Sequence, residues 1–204
     1  MKSLPRSFFD RPVLEVGADL LGCRVRHGGV TVRITETEAY AGRVDPASRV
    51  LSRPTRHNAP VFGPAGHAFV YFTYGHHWML CVVTGEPDVP EVVLLRAGEV
   101  VAGHDVAAER RAGVSERDWC RGPGRLTAAL GVTGGLSGVD LCAPGSPVVV
   151  GGPLAREGRH GVRTGPRVGV SGPGGDGTSY PWRFWLDGEP TVSPYRPGRR
   201  RPGR

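Results

Sequence analysis

The chain has 204 residues, of which 39% are hydrophobic and 22% charged, enough to bury the core of one large domain. Arginine and lysine outnumber aspartate and glutamate by 26 to 19, a formal net charge of +7 that favours a polyanionic partner. No apolar run approaches the roughly 20 residues that a membrane-spanning helix requires, which argues against a membrane span.

Lys2 is the only lysine, so the positive charge is almost all guanidinium, which grips phosphate with two hydrogen bonds and stacks on bases. An Arg-, Gly-, Ala- and Val-rich chain also follows from a GC-rich genome. Cys23, Cys81, Cys120 and Cys142 include no Cys-x-x-Cys pair, and His76-His77 are adjacent, which argues against a zinc site. Free thiols in a reducing compartment, the cytosol, are expected.

In chain order, Asp10-Arg11-Pro12 followed by apolar Val13, Val16, Leu20 and Leu21 predicts an amphipathic helix stopped by Gly22. Residues 23–27 and 30–38 read as a hairpin around Gly28-Gly29. Residues 42–66 form a long loop, of a length usually kept for function. Residues 69–74 and 81–84 pair as a second, aromatic hairpin with Gly75 and the two histidines near its tip. Residues 92–97 make a third strand, and 104–112 a helix. Gly122-Pro123-Gly124 opens a short helix over 125–130, closed by Gly131. Late strands fall at 148–150, 167–170 and 183–186, with a glycine-rich loop at 171–179. One domain spans 1–195, and a Pro/Gly/Arg tail, expected to be disordered, fills 196–204.

Thr35-Glu36-Thr37-Glu38-Ala39-Tyr40 carries the most chemistry. Side chains two apart share a face of a strand, so strict alternation sends Glu36, Glu38 and Tyr40 to the same side as Val30, Val32 and Ile34. Carboxylates are seldom buried without a partner or a purpose. Two acids and a tyrosine facing a pocket, beside an aromatic hairpin on a basic protein, point to chemistry on a nucleic-acid base.

These segments resemble the alkyladenine DNA glycosylase family, also called the 3-methyladenine DNA glycosylase family. The likeness runs from Phe8-Phe9-Asp10-Arg11-Pro12 through Leu20-Leu21-Gly22, Glu36-Thr37-Glu38-Ala39-Tyr40, Asn58 with Phe62-Gly63-Pro64, Val70-Tyr71 and Tyr74-Gly75. It continues through Leu94-Leu95-Arg96-Ala97, Gly122-Pro123 and Arg167-Val168-Gly169-Val170 to about Ser193. The resemblance implies a mixed α/β single domain with a curved, largely antiparallel sheet flanked by helices, and a protruding hairpin that enters the DNA minor groove. It also implies a monomer that needs no metal and no cofactor, flips a damaged purine nucleotide out of duplex DNA and hydrolyses its N-glycosidic bond.

By the same resemblance Glu38 is the general base, Arg96 keeps it ionised, and the Val168 carbonyl helps hold the attacking water. Arg96 also reads as a structural ion pair with Glu36. Tyr40 and Tyr71 stack on the base, Tyr74 wedges into the minor groove, and Arg125 meets a phosphate. Three positions depart from the family pattern. Arg49 stands where a histidine is usual, Cys81 where an asparagine is usual, and His76 where a methionine is frequent; His57 or His67 is a candidate substitute for the missing histidine. A positive Arg49 implies a shift from cationic alkylated purines toward neutral ones, and Cys81 a weaker rejection of guanine. The rival readings are a family member that binds lesions with little or no excision, favoured by Arg49 and Cys81, and an RNA-binding protein, which lacks aromatic RNP motifs to support it.

Overall fold

Eleven consecutive residues, Val30–Tyr40, form one strand, β2, on which the other layers are assembled. The computed structural model describes residues 1–48, 53–73, 75–153 and 161–198. β2 follows β1 (Arg24–His27) through Gly28-Gly29, whose φ angles of 54° and 85° are the left-handed values that a two-residue hairpin needs and that a Cβ resists. The remaining strands are β3 (Ala68–Thr73), β4 (His77–Thr84), β5 (Glu91–Ala102), β6 (Val149–Gly151), β7 (Val162–Gly165) and β8 (Arg183–Leu186).

The sheet runs β3-β4-β5-β2-β1-β6, with β8 on β2 and β7 on β8, and every pairing is antiparallel. β5 takes one edge of β2 along most of its length. The other edge is divided: β1 holds residues 30–33 and β8 holds residues 36–38. This is the mixed α/β, largely antiparallel domain that the sequence implies.

Among the described residues four α-helices accompany the sheet: α1 (Arg6–Phe9), α2 (Val13–Asp19), α3 (His104–Arg110) and α4 (Pro123–Leu130). Pro123 opens α4, and Gly131 closes it at φ 73°, as their chemistry predicts. Period-two alternation sorts the strands into two faces. Val70, Leu80, Val82, Val93 and Leu95 pack with Val13 and Val16 of α2 and Leu126, Ala129 and Leu130 of α4 in the main core. Phe69, Met79, Cys81, Val83, Val92 and Leu94 form a second apolar layer with Tyr40 and Tyr71 packed against it.

β2 departs from alternation. Ile34 pairs with Gly98 and Glu36 with Ala97, which leaves Thr35 as an extra residue on β2. Glu36 pairs with Ala97 and Thr37 with Leu95, which leaves Arg96 as an extra residue on β5. Such bulges reverse the face of every residue that follows. Ala39 therefore joins Val30, Val32 and Ile34 in the main core, and the Thr37 hydroxyl donates to the Gly17 carbonyl in α2. Glu36 instead continues the face of Arg33 and Thr35. Arg33 donates to Glu189 at 2.8 Å, the Thr35 and Thr191 hydroxyls share a bond of 2.9 Å, and the Ser193 N–H donates to Glu36 at 2.8 Å. The expected common face of Glu36, Glu38 and Tyr40 with Val30, Val32 and Ile34 is thus corrected: the carboxylates face away from the main core.

Residues 167–170, read as a strand, form a turn with Gly169 at φ 74°; the strand before it is β7. The long loop after β2 contains 3-10 turns at Gly42–Val44 and Ala59–Phe62. β3 and β4 pair out to Thr73 and His77, with exposed Gly75 and His76 beyond. The carbonyl of Arg196 accepts a 2.7 Å hydrogen bond from the Gly169 N–H, so the chain near residue 196 lies on that turn.

Candidate functional site: a buried carboxylate centre beneath an aromatic cleft

The sheet face opposite the main core floors an open cleft of about 1020 Å³. Cys81, Val92, Leu94 and Arg96 line it from β4 and β5, and Tyr40, Phe69 and Tyr71 from β2 and β3. Registers place Arg183, Glu38, Leu94, Cys81 and Phe69 in one row across β8, β2, β5, β4 and β3. Cys81 is therefore two strands from Glu38, roughly 10 Å at the usual strand spacing.

Glu36 and Glu38 are both wholly buried. Glu36 accepts four hydrogen bonds. Its Oε1 accepts from Arg96 Nε at 3.1 Å, Arg183 Nε at 2.7 Å and Ser193 Oγ at 2.9 Å, and its Oε2 accepts from the Ser193 N–H at 2.8 Å. Glu38 has fewer donors. Oε2 accepts from the Tyr40 hydroxyl at 2.9 Å and Arg96 Nη1 at 3.3 Å, and Oε1 accepts only from the Val168 N–H at 2.7 Å. A carboxylate offers about four acceptor positions, so Glu38 keeps one open on Oε1. Two glutamates against Arg96 and Arg183 make a neutral cluster, the condition for burying such charges.

Burial works against the Arg96 charge, but Glu38 and then Glu36 outweigh it and hold its pKa above the ordinary value. Burial, followed by the negative charge of Glu38, pushes the Tyr40 phenol well above its usual range, so Tyr40 is the donor to Glu38. Burial and then Glu38 also push the Cys81 thiol up, so a neutral S–H faces the cleft. Tyr71 stacks on Phe69 with ring centres 5.2 Å apart.

Arg121 and residues 122–125 at the start of α4 edge the cleft, and exposed Arg125 lies 3.7 Å from the Asp118 carboxylate. A Cβ at Gly124 would lie 2.7 Å from the His77 ring, so the glycine lets α4 and the hairpin meet. His76 and His77 have ring centres 4.0 Å apart; burial, then His76, lowers the His77 pKa.

Of the residues named from sequence, Glu38, Arg96, Val168, Tyr40, Tyr71 and Cys81 converge on the cleft and the carboxylates beneath it. Val168 meets Glu38 through its N–H. Arg125 stands at the rim, and His76 beside His77 on the hairpin. Arg49 and Tyr74 lie outside the described residues. His57 lines the cleft, whereas His67 Nδ1 is 2.9 Å from the Pro64 carbonyl and is turned toward Arg6. Sequence reasoning missed Arg183, Ser193, Asp45 and the side chain of Arg167. Local sequence carries no sign of them, because the carboxylate or guanidinium that each one meets lies 100 or more positions away. Among the described residues no group of three or more His, Cys, Asp or Glu is placed to hold a metal ion, and no helix is long and apolar enough to cross a membrane.

Comparison with known proteins places this chain in a class, the DNA glycosylases. The Methylpurine-DNA glycosylase family profile matches residues 7–190. A Frankia casuarinae protein named "Putative 3-methyladenine DNA glycosylase" is 52% identical over 203 residues, covering 95% of this chain and 93% of its own. Like-named proteins are 46% identical in Streptomyces avermitilis (97% of this chain, 95% of that one) and 40% identical in Methanocella arvoryzae (97% and 99%). The chain belongs to the methylpurine-DNA glycosylase family.

Proposed function

We propose that the protein is a monofunctional purine-DNA glycosylase that takes a damaged, alkylated or deaminated purine nucleotide out of the duplex into the cleft and hydrolyses its N-glycosidic bond. The observation that carries this reading is Glu38: a buried carboxylate, balanced by Arg96, with one acceptor position open on Oε1. A water hydrogen-bonded there loses its proton to Glu38 as its oxygen attacks C1′. The C1′–N bond breaks, the purine leaves, and an abasic sugar remains. The Glu38 charge also stabilises the oxocarbenium character that develops on the sugar. The Arg96 guanidinium lies 3.3 Å from that carboxylate and balances its charge.

Reaching C1′ requires extrusion of the nucleotide, as glycosylases in general do. Tyr40, held by its hydroxyl, and Tyr71, held by Phe69, supply flat apolar surfaces for the base, worth about 1–3 kcal/mol per stacked base. Arg121 and Arg125 offer charge to the phosphates, and Tyr74 fills the gap in the duplex by the family resemblance. Lys2, the only lysine, has no part in the cleft, so strand cleavage through a Schiff base is not expected.

The test is to incubate duplexes carrying single defined lesions with the wild type and with Glu38→Gln, and to score alkali-labile abasic sites. Sites made by the wild type and not by the variant support the reading. Tight binding to lesions with no abasic product from the wild type establishes the rival, a lesion-binding protein.

A further inference from the structure

Arg167 has no part in the reaction above, yet among the described residues its side chain is the largest to be wholly withdrawn from solvent. Its guanidinium meets two aromatic rings and is hydrogen-bonded along its edge. Nε donates to the Ala39 carbonyl at 2.9 Å; Nη1 donates to the Gly174 carbonyl at 2.9 Å and to Asp45 Oδ1 at 3.1 Å; Nη2 donates to Asp45 Oδ2. One face lies 4.5 Å from the Tyr40 ring centre, and the guanidinium lies 5.0 Å from that of Trp182. Asp45, equally buried, accepts in turn from the N–H groups of Ala41 and Ala47.

Three chain segments meet at this pair. The first is the end of β2, where Ala39 sits between Glu38 and Tyr40. The second is the loop of residues 41–48, whose Pro46, Ala47 and Ser48 line the cleft. The third is the 167–176 loop, where the residue after Arg167 is Val168, the donor to Oε1 of Glu38. The 41–48 and 167–176 loops are pressed together, since a Cβ at Gly174 would lie 2.5 Å from the Ala47 nitrogen. A buried ion pair is seldom worth more to stability than apolar residues of the same volume, but it holds its neighbours in one geometry. An arginine does so better than a lysine because its donors are fixed in a plane.

We propose that Arg167, locked to Asp45, is a positioning residue for catalysis: it sets the tilt of the Tyr40 ring against which the base stacks and, through Val168, the direction of the open acceptor position on Glu38. This rests on the function proposed above. Arg167 touches neither base nor water, so its loss is read in the chemical step rather than in docking.

The experiment compares wild type, Arg167→Lys and Trp182→Leu by three measurements: melting temperature, affinity for a duplex with a tetrahydrofuran abasic analogue, and single-turnover excision at saturating enzyme of the lesion that the wild type removes fastest. Arg167→Lys keeps a cation beside Asp45 but loses the planar fork and the stack. Its saturated rate is expected to fall about 100-fold while analogue affinity changes by no more than a few-fold. Trp182→Leu removes no hydrogen-bond partner of Arg167 but takes away one of its two aromatic contacts, with an expected fall of about 10-fold; it carries the test alone if Arg167→Lys does not fold. Folded variants that excise at the wild-type rate, or that lose rate and affinity by the same factor, overturn the proposal. A wild type that excises nothing overturns the parent reading and this one with it, and that result is visible before any variant is made.

Discussion

The backbone N–H of Val168 donates to Oε1 of Glu38 at 2.7 Å, joining residues 130 positions apart. It occupies one side of an oxygen that has no other donor, while Oε2 is taken by Tyr40 and Arg96. The carboxylate is thereby aimed: its remaining acceptor position is defined by what already surrounds it.

Glu38→Gln is expected to cut single-turnover excision by at least about 100-fold while leaving affinity for lesion-bearing duplex largely intact, because the amide neither takes the proton nor carries the charge. The two quantities are measured side by side on one duplex. Near-normal excision by the variant would remove Glu38 from the mechanism.

Glu36 has a different task. Four hydrogen bonds from Arg96, Arg183 and Ser193 tie it into the cluster. Glu36→Ala would leave two buried guanidinium groups against one carboxylate, and a loss of about 3–5 kcal/mol in denaturant unfolding is expected. Excision per folded molecule should fall too, because Arg96 bridges both acids. A variant as stable as the wild type would contradict the charge balance assigned to this cluster.

Alkali should destabilise the fold. Burial, then Asp19, pushes the Cys23 thiol up from 9.0 to about 12, and burial pushes Cys120 from 9.0 to about 12. Burial and Glu38 raise Tyr40 in the same direction. Each group holds its proton longer folded than unfolded. For the two thiols the contribution is therefore fully present below the unfolded pKa near 9 and is lost as pH rises toward about 12; for Tyr40 the loss has the same sign. The denaturation midpoint should hold up to about pH 9 and fall from there toward about pH 12, with a shallower slope in Cys120→Ala. A flat profile would falsify this assignment.

Substrate choice should reflect Arg49 and Cys81. A cation at position 49 within about 4 Å of a cationic base costs up to about 4 kcal/mol at an effective dielectric near 20. The neutral Cys81 thiol in the cleft floor is a poor hydrogen-bond partner and a weak filter against a guanine amino group. The wild type is expected to favour hypoxanthine over 7-methylguanine, and Arg49→His to move that ratio toward 7-methylguanine. Paired excision rates decide it; a wild type that strongly prefers 7-methylguanine, with a ratio unmoved by histidine, removes the electrostatic argument.

Local chemistry made much of this protein legible in its sequence. Gly28-Gly29 specifies the turn between β1 and β2 because both residues need positive φ. Pro123 and Gly131 bracket α4 for similarly local reasons. The Glu-x-Glu-x-Tyr run names one side chain that lines the cleft and the two acids beneath it, because residues two apart on a strand share a face. Which face they share was decided elsewhere. The extra residues at Thr35 and Arg96 are visible only when β2 lies against β5, and they turn the acids from the main core to the cleft. Residues 167–170 read as a strand from their alternating valines, yet they form a turn whose Arg167 is drawn to an aspartate 122 positions earlier. Arg183 reaches Glu36 across 147 positions. Turn and helix signals act over a few residues and survive in any local window, whereas a bulge or a buried ion pair exists only once distant segments exclude water between them, so tertiary structure alone could set the aim of Glu38.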